Sequence, residues 1–399
     1  MIQTQPSVAF YSFDCGEFPA AVSISRFRGQ SGVEEYHLVV RPMEYGSVAA
    51  QLEWVARAYQ SALGSVGLDS GTCVLRRFFC SDLPNQADVL ETYPYANHGE
   101  PDEPCAVSWV CQPPVPPAKV ALWAYHVNDP GGALDKRMEG TSLSLRRGEL
   151  AHLWTTGVTC TDKDTSYGQT EGILEKYEDC LEAHGSRLAD HVIRTWFFVR
   201  DVDVNYHGLV AARREIFARR GLTPDTHFIA STGVGGASAD IAAIVSMDAY
   251  AISGVRGDQI RFLSAPGHLS PTYVYGVTFE RGVSVEYQDR KHVLISGTAS
   301  IDSAGRIVHP GDVLRQLDHT LDNMEALLLE AGAAFADVCA FIVYVRDPSD
   351  LDVAGRVMRE RFGEAPCQVV VAPVCRPGWL VEIECQAIVP ASSPALPAF

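Results

Sequence analysis

The pattern of hydrophobic and polar positions repeats three times along the chain, each time in the same order. Each repeat begins with a stretch whose apolar residues recur at helical spacing and whose end is marked by a glycine, as is typical of a helix C-terminus. These stretches predict helices over residues 50–63, 169–183 and 313–330. An apolar run typical of a buried strand follows each helix and ends in aspartate. The three runs start at Cys73, His191 and Val338.

A second apolar run closes each repeat, after a further helix and a loop. These runs predict closing strands over residues 119–127, 242–252 and 379–388. Hairpin-like segments precede each first helix, and the clearest of them spans 272–287 and continues at 292–300. Each repeat therefore predicts a mixed α/β unit in which helices cover one face of a sheet.

The spacing of single residues supports the repetition. A glutamine near the start of the first helix lies 16 residues before the glycine that ends it, in all three repeats. These pairs are Gln51 and Gly67, Gln169 and Gly185, and Gln316 and Gly332. We predict units over 1–130, 131–255 and 256–390, joined by segments rich in glycine, proline and charge at 126–147 and 253–271. Residues 391–399 are expected to form a disordered tail.

Composition narrows the class of protein. The 399 residues are 47% hydrophobic and 20% charged, as in a globular protein, and the net charge of −17 disfavours nucleic-acid binding. The chain shows neither a membrane-spanning run nor a secretory signal, so a cytoplasmic protein with reduced cysteines is expected. The scattered histidines predict no metal site, and nothing in the sequence calls for a cofactor. The mixed run 200–208 is typical of a solvated surface.

Two carboxylates stand out on the last closing strand. Glu382 and Glu384 alternate with apolar residues, so both lie on one face of the strand. Acids are depleted in strands, and a buried charge is costly unless it is paired. Either this face is solvated, or one acid lines a cleft as a general acid or base. The counterparts of Glu382 in the other repeats are Ala121 and Ser246, and this asymmetry makes Glu382 the stronger candidate.

The order of these elements resembles the RidA (YjgF-like) family, particularly in the third repeat. The resemblance rests on ISGTAS before the helix, the central strand ending in aspartate, and the closing VEIE strand. Members of that family are trimers with ligand clefts between neighbouring units. Three tandem copies therefore imply an intramolecular pseudo-trimer, with further oligomerisation left open. A looser likeness, in LSPTYVYGVTFERG and VCRPGWLVEIE, is to the chorismatase branch, which uses this fold for chorismate.

The two resemblances imply different chemistry for Glu382. RidA enzymes hydrolyse enamines and imines, with an arginine that holds the substrate carboxylate and a glutamate that positions water. Glu382 matches that glutamate, but Cys367 stands 15 residues earlier where the family has arginine, which weakens this alternative. Chorismatases use the glutamate as an acid that protonates the enolpyruvyl group of chorismate and releases pyruvate. We take this as the leading hypothesis; a non-catalytic protein that binds a small ligand is the third.

The resemblance also indicates residues around the ligand. In the unit that carries the glutamate, the matching positions are Tyr275, Ser296 and Gly297. In the second unit, the segment at the neighbour's ligand loop begins with Ser231, Thr232 and Gly233. The glycines of this segment permit close approach of the backbone and offer N–H donors to an anion, although a plain tight turn explains them equally.

A carboxylate substrate requires basic partners. The candidates are Arg376, six residues before Glu382, and Arg194 and Arg200 on the central strand of the second unit. Each of them is equally an ordinary loop or surface arginine. Cys375 lies seven residues before Glu382 and is interpreted as a buried or cleft-lining thiol, because no histidine stands nearby in sequence to activate it as a nucleophile.

Overall fold

Three six-stranded mixed sheets follow one another along the chain, and each carries helices on one face. The structure, a computed structural model, describes residues 7–14, 16, 18–99, 103–132 and 134–399. Residues 1–6 of the predicted first unit and Cys15 lie outside that description. Within the described ranges no helix is long and apolar enough to cross a bilayer. The α/β class with three tandem units is confirmed.

The first sheet lies within residues 8–128. Its strands are β1 (Val8–Asp14), β2 (Ala20–Arg28), β3 (Glu34–Pro42), β4 (Cys73–Cys80), β5 (Ala106–Cys111) and β6 (Val120–Asn128). Its helices are α1 (Val48–Ser65) and α2 (Leu83–Glu91). The strands lie in the order β1-β2-β3-β6-β4-β5, and only β4 and β5 pair in parallel.

The second and third sheets repeat this topology. The second has β7 (Asp135–Glu139), β8 (Ser142–Arg147), β9 (Leu150–Thr159), β10 (Val192–Val199), β11 (Ala230–Gly235) and β12 (Val245–Ser253), with α3 (Ser166–Ala183), α4 (Leu188–His191) and α5 (Val202–Arg219). The third has β13 (Ile260–Leu263), β14 (Gly282–Glu286), β15 (Arg290–Ala299), β16 (Val338–Val345), β17 (Cys367–Val371) and β18 (Val381–Pro390), with α6 (Val313–Glu330) and α7 (Leu351–Phe362). Their orders are β7-β8-β9-β12-β10-β11 and β13-β14-β15-β18-β16-β17. The closing strand therefore lies inside each sheet, although the exact unit boundaries stay a prediction.

The repeated glutamine joins the first helix of each unit to its closing strand. Gln316 accepts a hydrogen bond from the backbone N–H of Leu380 and donates to the carbonyl of Gly378. Gln51 and Gln169 make the same kinds of contact in the other units, with residues 117 and 119 and with residues 242, 244 and 245. The spacing seen in the sequence thus reflects a buried backbone connection that an apolar side chain could not make.

The faces of the sheets that carry no helices meet in one shared core, which includes Trp123, Trp196 and Tyr344 from the three sheets. Three buried ion pairs cross it. They are Arg77–Asp248 between the first and second sheets (2.8 Å), Arg194–Glu384 between the second and third (2.9 Å) and Arg290–Glu35 between the third and first (2.6 Å). Each sheet is therefore linked to both of the others, and the three units form an intramolecular pseudo-trimer.

The segments predicted as joins contain strands, and two of these, β7 and β13, lie at sheet edges. Residues 126–147 include β7 and β8, and residues 253–271 include β13. An edge strand keeps one side open to solvent and tolerates charge, as the alternately exposed residues of β7 show. The composition of such an edge strand resembles that of a loop, which is why the sequence pattern indicated joins rather than strands here.

The predicted hairpin over 272–287 is correct only in its second half. Residues Thr272–Tyr275 form a 3₁₀ turn that begins after Pro271 and ends at Gly276, whose φ of 86° lies in the left-handed region. The chain then passes close to the second sheet, where Glu280 bridges to Ala230, before β14 begins.

The tail over 391–399 is ordered, which corrects the expected disorder. The backbone N–H of Ser393 donates to the carbonyl of Gln288, and the N–H of Gln288 donates to the carbonyl of Pro397. The Phe399 side chain is 3% exposed and packs edge-on against the rings of His152 and His292 in the centre of the molecule. The proline- and serine-rich composition of this segment suggested disorder, but burial of Phe399 holds the segment against the protein.

Replacing Arg77 with methionine should destabilise the protein by about 3–5 kcal/mol, because Asp248 is left buried without a counter-charge. The free energy of unfolding can be measured with urea and tryptophan fluorescence. Arg137→Met is the matched control, since Arg137 pairs with Asp135 on the surface. A loss no larger than that of the control would contradict the structural role of the buried pair.

Candidate active site

A cavity lies between the second and third sheets, around the carboxyl group of Glu382. The empty space amounts to about 470 Å³, including the mouth open to solvent. The second unit contributes Tyr206, Arg213, Ser231 and Gly233. The third unit contributes Tyr275, Val277, Phe279, Arg281, Gly297, Ala299, Ile301, Cys375, Arg376, Trp379 and Glu382. Two neighbouring units thus build one site.

Strand register places Glu382 at a defined position of the unit. It pairs with Tyr344, the penultimate residue of β16, and on its other side with Ala299 of β15. The penultimate residues of β4 and β10 pair in the same way with Ala121 and Ser246. The counterparts inferred from the sequence are therefore the structural equivalents, and the third unit alone carries an acid at this position.

The Glu382 side chain is buried and tightly seated. The residue is 5% exposed, and no hydrogen-bond donor to its carboxyl group occurs among the described residues. A Cβ on Gly297 would lie 1.8 Å from Glu382 Oε1, so a residue without a side chain is needed there. Burial, assisted by the nearby charge of Glu384, raises the pKa of Glu382 to about 8, against the opposing effect of Arg194 and Arg281.

Glu384 has the opposite surroundings. Its carboxylate accepts hydrogen bonds from Arg194 Nη2 at 2.9 Å, from Trp196 Nε1 at 2.8 Å and from the Thr232 hydroxyl. The residue is 4% exposed, so the prediction of a solvated face is wrong for both acids. Glu384 is thus a buried hydrogen-bond partner of these three side chains.

The structure brings seven of the eleven candidate site residues to the cavity. They are Ser231, Gly233, Tyr275, Gly297, Cys375, Arg376 and Glu382. Arg194, Ser296 and Thr232 do not line it. They form a layer behind it, in which Arg194 donates to the Ser296 and Thr232 hydroxyls as well as to Glu384. Arg194 is therefore engaged within the protein, because its strand directs it into the shared core.

Two arginines that the sequence did not single out line the cavity. Arg213 of α5 donates from Nε to Thr278 (3.2 Å) and from Nη1 to Ser231 (3.3 Å), while its buried Nη2 has no partner among the described residues. Arg281 donates from Nη2 to the carbonyl of Ser270 (2.9 Å), and its buried Nε is likewise unpaired within the described chain. Both guanidinium groups thus keep a free donor.

Arg376 and Tyr206 complete the walls. Arg376 donates to the carbonyl of Tyr275 and lies over the rings of Tyr275 and Trp379, at 4.8 and 5.4 Å from their centroids. Tyr206 lies in the run 200–208, which begins α5 and is mostly exposed or half-buried, as expected for a mixed solvated surface. The ring of Tyr206 nevertheless lies against Gly233. Arg200 instead donates to the carbonyl of Ile241 and does not line the cavity.

Cys367 does not face Glu382. It lies on β17, in a different cleft between the third and first units. In the sequence, Cys367 matches the arginine that accompanies the glutamate in the RidA pattern. In the structure, the residue of that position that lines the Glu382 cavity is Ser231 of the second unit. Ser231 is not an arginine either, so this cavity also lacks the arginine of the RidA pattern and contains Arg213 of α5 instead.

Cys375 lines the cavity as a protonated thiol. Burial first, and then the neighbouring Glu382, raise its pKa to about 12. A thiol that stays protonated is a poor nucleophile at neutral pH, which agrees with its interpretation as a cleft-lining group. In the described part of the chain, no group of three His, Cys, Asp or Glu side chains is arranged to hold a metal ion.

A family model and several known proteins match parts of this chain. A family model described as Endoribonuclease L-PSP matches residues 282–389. The 3-aminoacrylate deaminase RutC of Acinetobacter baylyi is 31% identical over 93 residues, which are 23% of this chain and 74% of that protein. A chorismatase of Streptomyces rapamycinicus is 29% identical over 237 residues, or 53% of this chain and 69% of that protein.

A crystal structure of a chorismatase shares the fold over a much longer range. It superposes with a TM-score of 0.61 over 79% of this chain and 93% of that chain, at 20% sequence identity. The likeness thus extends beyond the third unit, where the family model matches. The chain belongs to the RidA (YjgF-like) family, as a single polypeptide with three tandem units and a fold similar to that of a chorismatase.

Proposed function

We propose that the protein is an enzyme of the chorismatase type, which protonates a small carboxylate-bearing enol ether such as chorismate and releases pyruvate. The observation that carries this proposal is the buried Glu382 carboxyl group, with a pKa raised to about 8, in a cavity lined by three arginines. The similarity to proteins named chorismatases supports the same class of reaction.

Glu382 suits the role of a general acid. With a pKa of about 8 most of the carboxyl groups carry a proton at pH 7, so the group has a proton to give. The proton passes to the methylene carbon of the enol ether, and the double-bond electrons form the new C–H bond. The positive charge that remains on the ether carbon is shared with the ether oxygen as an oxocarbenium ion.

Water completes the reaction. It adds to the oxocarbenium carbon and returns a proton to the Glu382 carboxylate, which restores the acid. The resulting hemiketal breaks its bond to the ether oxygen, and pyruvate and an alcohol leave. One water molecule is consumed, and the reaction needs neither an oxidant nor a reductant.

The arginines suit a substrate with carboxylate groups. The free donors of Arg213 and Arg281 are buried, and an unpaired buried donor costs about 1–3 kcal/mol. A bound carboxylate removes this cost and adds charge-assisted hydrogen bonds. Arg376, beside the rings of Tyr275 and Trp379, offers a third cation for the second carboxylate of a substrate such as chorismate.

Hydrolysis of an enamine or imine is the second candidate, favoured by the similarity to a 3-aminoacrylate deaminase. That reaction asks Glu382 to position water, for which an ionised carboxylate is better suited than the protonated group expected at pH 7. An assay for ammonia and keto acid with an amino-acid-derived imine tests it beside the pyruvate assay. If both stay silent while a carboxylate ligand raises the melting temperature, the protein is a binding protein.

Replacing Glu382 with glutamine should lower the rate of pyruvate release from chorismate by about 10²–10⁴-fold, because glutamine cannot donate the proton. Pyruvate is measured by coupling to lactate dehydrogenase. Glu360→Gln, an exposed acid on α7, is the matched control and should keep the wild-type rate. Turnover by Glu382→Gln at the control rate would refute the proposed acid.

The pH profile provides an independent test. The protonated form is the active one, so kcat/KM should be highest below the pKa of about 8 and fall tenfold per pH unit above it. The profile is recorded between about pH 6 and pH 10 with excess coupling enzyme at each point. A value that stays constant through pH 8 and 9 would argue against Glu382 as the acid.

Replacing Arg213 with methionine should lower kcat/KM for chorismate by about 10- to 100-fold, since a charge-assisted hydrogen bond contributes about 1.5–3 kcal/mol. Arg214→Met is the matched control, because Arg214 is the next residue on α5 and is exposed. Equal values of kcat/KM for the two variants would exclude Arg213 from substrate binding.

A further inference from the structure

The pseudo-threefold arrangement produces a second open cleft, between the third and first units. Its walls include the apolar side chains of Val22, Val39 and Met358, and two arginines, Arg41 and Arg359, also line it. The empty space is about 840 Å³, including the open mouth. This cleft takes no part in the proposed reaction, because Glu382 lies in the other one.

Arg359 is the structural equivalent of Arg213. Each lies 12 residues after the aspartate that follows the central strand, counted from Asp347 and from Asp201 respectively. The two helices that carry them, α7 and α5, occupy the same place in their units. In the first unit the same count from Asp82 reaches Pro94, so the fold does not itself require an arginine at this position.

The acid of the active cavity is absent from the second cleft. The register places Ala121 where the third unit has Glu382. Arg41 follows Val40, whose partner on β6 is Leu122, so the next position along β3 lies beside Ala121. Arg41 therefore lies next to Ala121, the residue that occupies the position of Glu382 in the first unit.

The cleft holds two guanidinium groups and one carboxylate, that of Glu364. Neither Arg41 nor Arg359 has an ion pair among the residues that the structure describes. Burial and the neighbouring Arg359 both lower the pKa of Arg41. The carboxylate of Glu364, which also lines the cleft, accepts a hydrogen bond from the Ser12 hydroxyl at 2.7 Å. Two like charges in a concave site are unfavourable until an anion binds between them.

We propose that the cleft between the third and first units binds a small organic carboxylate and does not convert it. The two arginines hold the carboxylate by charge-assisted hydrogen bonds, and Val22, Val39 and Met358 contact its apolar part. Without an acid at position 121 the bound molecule has no proton donor equivalent to Glu382. The inference does not depend on the reaction proposed for the active cavity.

The interface between the first and second units contains a lysine whose ammonium group is already bound. Lys136 of β7 donates to the carbonyls of Cys73 (2.8 Å) and Pro104 (3.0 Å) on the first unit. The ammonium group of Lys136 is therefore bound by two backbone carbonyls of the protein itself. Arg41, in contrast, donates to no backbone carbonyl among the described residues, and its Nη2 reaches only the Sδ of Met43, at 3.6 Å.

Calorimetric titration with benzoate tests the proposal. The full chain carrying Arg213→Met serves as the background, so that binding in the active cavity is weakened. Benzoate should still bind to this protein, and benzyl alcohol, which lacks the charge, should not. Adding Arg359→Met or Arg41→Met should weaken benzoate binding by about 10- to 100-fold, the effect of losing one charge-assisted hydrogen bond.

Arg356→Met in the same background is the matched control, because Arg356 is exposed one turn earlier on α7 and does not line the cleft. It should bind benzoate as the background does. The proposal is overturned if the background binds no benzoate, or if the Arg41 and Arg359 variants bind it as tightly as the control. Crystals soaked in benzoate then locate the molecule, and density elsewhere on the protein would overturn it equally.

Discussion

The three buried ion pairs between the sheets are the constraint on which the arrangement depends. A charge in a core is tolerated only beside its partner, so each pair fixes two sheets relative to each other. The acids of two pairs, Asp248 and Glu384, occupy equivalent positions on β12 and β18, as the register shows. Because both open clefts lie between units, the geometry that closes the core also sets the distance between the walls of each cleft.

Glu382 and Glu384 show how surroundings divide the roles of two identical side chains. They lie two residues apart on one face of β18, and both are buried. Glu384 receives donors from Arg194, Trp196 and Thr232, which makes it part of the core. Glu382 receives none from the described residues, and its pKa is raised. Hydrogen bonding stabilises one charge, and desolvation keeps a proton on the other.

Features that depend on contacts within a single unit could be predicted from the sequence. Helical spacing, the repeated glutamine and the apolar central strands located the principal elements, and the asymmetry at Ala121, Ser246 and Glu382 identified the candidate acid. What depends on contacts between units was not predictable. Arg213 comes from a helix about 170 positions before Glu382, and the direction of Arg194 into the core follows from the packing of the sheets. Cys367 was misplaced for the same reason, since the unit that faces Glu382 is not its own.

The arginines and the acid of the active cavity act against each other until a ligand binds. Cations that can hold a carboxylate also favour the ionised form of Glu382, as the effect of Arg281 on its pKa shows. Burial and the charge of Glu384 outweigh that effect, so the acid keeps its proton in the empty cavity. A substrate with carboxylate groups neutralises the arginines and thereby raises the pKa of Glu382 further. In the proposed reaction, binding of such a substrate therefore favours the protonated form of Glu382 that the reaction requires, whereas a neutral enol ether would gain neither the contacts nor this shift.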